Sequence, residues 1–154
     1  MIRFAKAEDK NLWVKLNIDF MKFEIANSDF WNNVDESKHE ELAKTFDEAI
    51  KNPHHITIFM IEHQGEIIGF ANLMTIFSVW AQGKALIIDD LYIKSDYQGK
   101  GFGMQVMKEL ENYAREKEYK RIQFQSEETN PGAKAFYKKL GYESEKMDFY
   151  VRYI

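Results

Sequence analysis

The sequence has no cysteine, two prolines and four histidines in 154 residues. Without a thiol there is neither a disulfide framework nor a cysteine nucleophile. His39, His54, His55 and His63 have no metal-ligand spacing with other candidate ligands, so no metal is expected. Uninterrupted apolar runs, such as Ile58–Ile61, stop at four residues. That is far below the roughly 20 residues that cross a bilayer. No basic tract occurs and the net charge is −4, which argues against nucleic acid and anionic membranes as partners and suits a cationic one. The opening segment, Met1–Lys6, has no long apolar stretch, so the expected compartment is the cytoplasm. Repeats, linkers and low-complexity segments are missing too.

What is present is a globular composition: 45% hydrophobic, 15% aromatic and 30% charged. A chain of this size can bury a full core, and one domain over residues 1–154 is expected. Ile2 and Phe4 alternate with Arg3, a short strand. Leu12, Leu16, Phe20 and Phe23 recur at helical spacing with Asp9 as N-cap, which predicts a helix to about residue 26. Ser37 and Glu40 form a capping box for a second helix with Leu42, Phe46 and Ile50 on its apolar face. Two strands, 54–62 and 66–77, flank a Gln64-Gly65 turn. A third ends at Ile93. A helix through Val106, Leu110, Tyr113 and Ala114 follows, then a strand at 121–125, a helix at 133–140 stopped by Gly141, and a last strand at 147–154. The order β-α-α-β-β-β-α-β-α-β predicts a mixed α/β fold on one sheet.

The chain turns on Gln98-Gly99-Lys100-Gly101-Phe102-Gly103, between an apolar strand and a helix. Glycines let the backbone approach a ligand, and a helix N-terminus offers free N–H groups to an anion. The string lacks the spacing of a P-loop, and the third glycine of a dinucleotide loop would fall at Met104. Gln98, Gly101 and Gly103 instead match Gln/Arg-x-x-Gly-x-Gly/Ala, which resembles the pyrophosphate loop of the GNAT superfamily of N-acetyltransferases. The segment from Asn130 through Ala133, Phe136, Tyr137 and Gly141 to Tyr142 resembles a second block of that family, and the element order agrees along the whole chain. Within the family, Trp80 with Gly83-Lys84, Asp89-Asp90-Leu91-Tyr92-Ile93 and Ser95-Asp96-Tyr97-Gln98-Gly99 is similar to the spermidine/spermine (diamine) acetyltransferase branch. Gln98 stands where that branch has Arg, and Asp89 where it has Glu.

The resemblance implies a single mixed, mostly antiparallel sheet with splayed central strands flanked by helices, and acetyl-CoA as co-substrate without a metal. The main chain of Leu91, Tyr92 and Ile93 would pair with the pantetheine arm. Gly99, Lys100, Gly101, Phe102, Gly103 and Met104 would hold the pyrophosphate, with Gln98 or Lys100 adding side-chain contacts. Ala133 belongs to the second cofactor block, and Asn130 could cap its helix or bond the pantetheine amide. Tyr137 would be the general acid on the leaving thiolate; on residue type alone it is a packed tyrosine. Asp89 would meet the amine, anchoring its cation or taking its proton through water. Asp90, on the opposite face of a regular strand, would be structural. Phe23 and Glu24 would wall the amine site or simply end a helix.

These residues imply direct transfer of an acetyl group from acetyl-CoA to a polyamine or diamine. Other acceptors stay open, namely an aminoglycoside, an amino acid or a protein amine, as does a non-catalytic acetyl-CoA-binding module. Alternating aromatics in the last strand, together with the resemblance, imply a homodimer.

Overall fold

The computed structural model describes residues 1–27, 39–126, 131–152 and 154. Phe30 and Trp31, most of the capping box before the second helix, and Asn130 lie outside them. The chain forms two compact units, residues 1–124 and 125–154.

The first unit is built on one five-stranded sheet. Its strands are β1 (Ile2–Phe4), β2 (Ile56–His63), β3 (Glu66–Ser78), β4 (Gly83–Ile93) and β5 (Arg121–Phe124). They lie side by side in chain order. Every neighbouring pair is antiparallel except β4–β5, which is parallel. That parallel pair requires a crossover, supplied by the helix α3 (Phe102–Glu116). The other helices are α1 (Lys10–Asn27), entered through a 3₁₀ turn at Ala7–Asp9, and α2 (His39–Lys51). Gln64 and Gly65 both have positive φ, the requirement of a two-residue hairpin turn between β2 and β3.

Two apolar faces make the core. Trp13, Val14 and Leu16 of α1 and Phe46 and Ala49 of α2 pack on Ile58, Met60 and Phe70 of the sheet. The Trp13 ring lies 5.3 Å from Phe46 and 6.4 Å from Phe70. On α3, Val106, Met107, Leu110 and Ala114 are buried, and Tyr113 meets Phe59 edge-on at 5.1 Å.

Several expectations change. The buried face of α1 is centred on Trp13, Val14, Leu16 and Asn17, whereas Phe23 is 51% exposed. Asp9 does not cap α1 with its side chain. Its carboxylate turns back to accept the Lys6 N–H at 2.7 Å and two guanidinium N–H groups of Arg3 at 2.7 and 2.8 Å. A buried carboxylate is costly unless ionically paired, and Arg3 is the cation within reach. His54 and His55 sit in a turn, and β2 starts at Ile56.

The second unit carries α4 (Pro131–Lys139). Gly141, at φ 88°, ends it with a left-handed residue, and the Tyr142 N–H returns to the Tyr137 carbonyl at 3.1 Å. The strand expected at 147–154 does not form: described residues 143–152 lack regular structure, and all are exposed. Alternating aromatics make a strand only where a neighbouring strand accepts the backbone, and residues 143–152 join no ladder among the described residues.

Candidate active site

The site begins with a fault in the β3–β4 ladder. Asn72 lies opposite Asp90, but the next residue, Leu73, lies opposite Ile88. Asp89 is therefore the extra residue of a β-bulge, and the alternation that would send Asp89 and Asp90 to opposite faces breaks there. Pairing between β4 and β5 runs from Ala85↔Arg121 to Ile88↔Phe124 and stops at the same point. Beyond it, Leu91, Tyr92 and Ile93 pair with Ala71, Phe70 and Gly69 of β3. Their other edge faces no strand among the described residues. On the paired side the strands are close: a Cβ on Gly69 would run into the Tyr92 carbonyl oxygen.

The two carboxylates at the bulge differ. Asp89 is exposed, while its partial burial still raises its carboxyl above the ordinary value. Asp90 is half-buried, and one oxygen, Oδ2, accepts the Asn72 side-chain amide at 2.8 Å. Burial pushes the Asp90 carboxyl up to about 6; the Asn72 bond works against this rise, and the neighbouring Asp89 charge adds to it.

Asn72 is itself held. Its carbonyl oxygen accepts the Trp13 indole N–H at 2.9 Å, and its amide also reaches Asn17 Oδ1 at 3.3 Å. Asn17 is buried and donates to the Trp13 carbonyl at 2.8 Å. Helix α1 is thus tied through β3 to the bulge on β4 by side chains alone. The sequence reading passed over Trp13, Asn17 and Asn72. Their signal is an amide inside an apolar run, Phe70-Ala71-Asn72-Leu73-Met74, and another on the buried face of α1, since buried polar groups find partners.

The glycine loop has the conformation that its residues permit. Gly99 and Gly101 have φ of 72° and 87°, and Gly101 is the residue before α3. Gln105 N–H is bonded to the Gly101 carbonyl at 3.2 Å, so Phe102, Gly103 and Met104 hold the first-turn amides that an α-helix cannot satisfy internally. Phe102 is packed at 4.6 Å from His63 and 5.9 Å from Tyr97. Gln98 does not extend its side chain toward an anion: its amide donates to the Ile93 carbonyl at 2.7 Å. Lys100 lies over the Tyr97 ring at 5.7 Å.

Phe23 and Glu24 stand at the end of α1, the first exposed and the second half-buried. Earlier on α1, the Phe20 ring lies tilted against Tyr92 at 5.5 Å, and burial, with the Asp19 charge adding to it, raises the Tyr92 hydroxyl. In the second unit, Tyr137 lies among Phe136 and Tyr142 at 5.1 and 6.3 Å, and burial raises its hydroxyl further above neutrality. Ala133 is on the same helix.

Comparisons with known proteins converge. The model of the Acetyltransferase (GNAT) family matches residues 21–142. The uncharacterized N-acetyltransferase YhfO of Bacillus subtilis is 30% identical over 94% of this chain and 90% of its own length. The thialysine N-epsilon-acetyltransferase of Bos taurus is 25% identical over 92% of this chain and 82% of its own. A possible acetyltransferase from Clostridium difficile superposes with a TM-score of 0.78 at 18% identity, covering 100% of this chain and 97% of that one.

Proposed function

The chain belongs to the GNAT family of acetyltransferases, enzymes that use acetyl-CoA as co-substrate, and we propose that its acceptor is a small cationic amine of the polyamine or diamine class. The observation that carries the acceptor class is the pair of carboxylates at the β4 bulge, Asp89 exposed and Asp90 held by Asn72. A cationic amine must lose a proton before its nitrogen can attack the thioester. It then bonds to the carbonyl carbon, the C–S bond breaks, and the thiolate takes up a proton.

In this reading the main chain of Leu91, Tyr92 and Ile93 receives the pantetheine arm. Gly99, Lys100, Gly101, Phe102, Gly103 and Met104 face the pyrophosphate, as an anion at a helix N-terminus requires. Gln98 shapes the loop from behind. Asp89 anchors the cation, and Phe23 and Glu24 extend the amine site. Tyr137 is the candidate acid and Ala133 and Asn130 are cofactor residues on the resemblance of their segment; a hydroxyl raised by burial keeps its proton at neutral pH, as an acid must. We further propose a homodimer, to be checked by light scattering.

A second reading, a lysine-like side-chain amine as acceptor, is favoured by the likeness to a thialysine acetyltransferase. The test is thiol release from acetyl-CoA with spermidine, spermine, putrescine, thialysine, lysine and an aminoglycoside. Selective turnover of the polyamines supports the first reading, and selective turnover of thialysine and lysine the second. If acetyl-CoA raises the melting temperature but no amine in the panel reacts, the small-amine reading is wrong.

A further inference from the structure

We propose that Asn72 is a positioning residue: braced by Trp13 and Asn17, it fixes one oxygen of Asp90 so that the other takes the proton of the attacking amine. The proposal rests on the acetyl-transfer reading above and deepens it, because it moves the proton step from Asp89 to Asp90.

Three geometric facts carry it. First, every hydrogen bond in the chain from α1 to β4 has one direction. The Trp13 indole can only donate, so Asn72 must present its oxygen to it at 2.9 Å. The Asn72 amide is thereby forced to face Asp90 at 2.8 Å. Asn17 adds a second acceptor on the amide side, at 3.3 Å. A flipped Asn72 would lose all three bonds and set its oxygen against a carboxylate. Second, only Oδ2 of Asp90 is used. Oδ1 accepts no hydrogen bond from a described residue, and no buried side-chain oxygen or nitrogen among those residues lacks a partner, so Oδ1 is reached by solvent. Third, Asp90 is at the bulge where β4 leaves β5, beside the free edge of Leu91, Tyr92 and Ile93.

Asp89 has none of these supports. It is the extra residue of the bulge and exposed, suited to attracting a cation and not to holding a proton in one place. Among the described residues the surroundings of Asp90 are otherwise uncharged: α1 and β3 offer Trp13, Asn17 and Asn72, and the charge acting on it is that of Asp89. Asp19 of α1 acts on Tyr92 instead. Burial raises the Asp90 carboxyl, which suits a group that accepts a proton near neutrality.

The proton leaves the ammonium for Asp90 Oδ1, directly or through one water, and the freed nitrogen lone pair attacks the thioester carbon. When the C–S bond breaks, the electron pair goes to sulfur, and the thiolate is protonated to thiol at the expense of the second proton that the acylated nitrogen sheds, leaving a neutral amide. Asp90 returns its proton to solvent.

The test couples two readouts. Carbon NMR of aspartate-labelled protein, with Asp90→Asn to assign the signal, follows the Asp90 carboxyl against pH. The pH profile of kcat/KM, with whichever panel amine reacts fastest, follows the catalytic step. Asn72→Leu removes the bond that favours the carboxylate, so the Asp90 midpoint should rise by roughly one pH unit, and the acid limb of kcat/KM should rise with it. Trp13→Phe, which leaves Asn72 braced by Asn17 but without the indole donor, should move both in the same direction by less. It also serves if Asn72→Leu fails to fold. An Asp90 midpoint that stays put, or one that moves while the acid limb does not, overturns the proposal. If wild-type protein releases no thiol with any amine of the panel while Asn72 still governs the Asp90 midpoint, the small-amine reading falls and the catalytic half of the proposal falls with it.

Discussion

The side-chain amide of Asn72 stands 2.8 Å from Asp90 Oδ2, across a ladder that slips by one residue immediately beyond them. The contact lowers the cost of a half-buried carboxylate without removing it, since the Asp90 carboxyl still stands at about 6. That residue of unrelieved cost makes the position measurable.

Asp90→Asn should stabilise the protein at neutral pH. The folded state keeps the Asp90 proton up to about pH 6, while an unfolded aspartate releases it near 4. The folded state therefore binds more protons in that window, and stability falls as pH rises through it. The penalty above pH 6 is on the order of 3 kcal/mol. Asparagine can still accept the Asn72 bond and carries no charge. Melts near pH 7.5 should show a gain for the variant that shrinks toward pH 4; a gain that is equal at both values would refute the account.

Asp9 gives the opposite sign. Arg3 beside it holds its carboxyl below the ordinary value, an effect that burial opposes and the Lys6 N–H reinforces. Its contribution is present above the unfolded pKa and is lost as pH falls through the lower, folded one. Asp9→Ala should cost about 2–3 kcal/mol in urea denaturation near neutral pH, because it removes the acceptor of two Arg3 guanidinium N–H groups and of the Lys6 N–H, leaving Arg3 with Glu62 at 3.1 Å. A loss under about 0.5 kcal/mol would place this pair with ordinary surface ion pairs.

Two glycines should fail in different ways. Gly69→Ala drives a methyl group into the Tyr92 carbonyl, so β3 and β4 must part, and a loss of about 3 kcal/mol or more is expected. Gly101→Ala has open space around its Cβ but a φ of 87°, so only backbone strain of about 1 kcal/mol is expected. Its larger effect should be on the acetyl-CoA-induced rise in melting temperature, because the loop would leave its left-handed turn. Equal stability losses in the two variants would contradict the distinction.

Tyr137→Phe should lower kcat by about 10²-fold or more and leave acetyl-CoA affinity nearly unchanged. Calorimetry and thiol release separate the two. Unchanged turnover would remove Tyr137 as the acid.

Much of the sheet was legible in the sequence because its turns are local: Gln64-Gly65 specifies a tight hairpin, and the apolar runs on either side are long. The glycine loop was legible for the same reason, since glycines mark the turn before a helix, and Gly99 and Gly101 both adopt positive φ. The bulge was not. Nothing in Ile87-Ile88-Asp89-Asp90-Leu91 distinguishes a regular strand from a slipped one, because the slip is a property of two strands together. Trp13, Asn17 and Asn72 were missed because each looks ordinary in its own window, and their meaning arises only where a helix and two strands meet. The bond from Gln98 to the Ile93 carbonyl was not legible either, because residue type fixes what a side chain can bond and not which neighbour is closest. The final segment was read as a strand from alternation, which describes faces and not partners.

The neighbour order of the sheet also bears on how the molecule assembles. Strands β2, β3 and β4 follow one another in a meander, so Asn72 and Asp90, 18 positions apart, can meet through local loop closure. Trp13 must reach Asn72 over 59 positions, and its bond forms only when α1 docks. Kinetically, the hairpin bearing the carboxylate is expected in the folding nucleus and the brace is expected late. Large φ-values in β3 and β4 with small ones at Trp13 would express that order, and the reverse pattern would contradict it. Substitutions at Trp13 should then accelerate unfolding and barely touch the refolding rate.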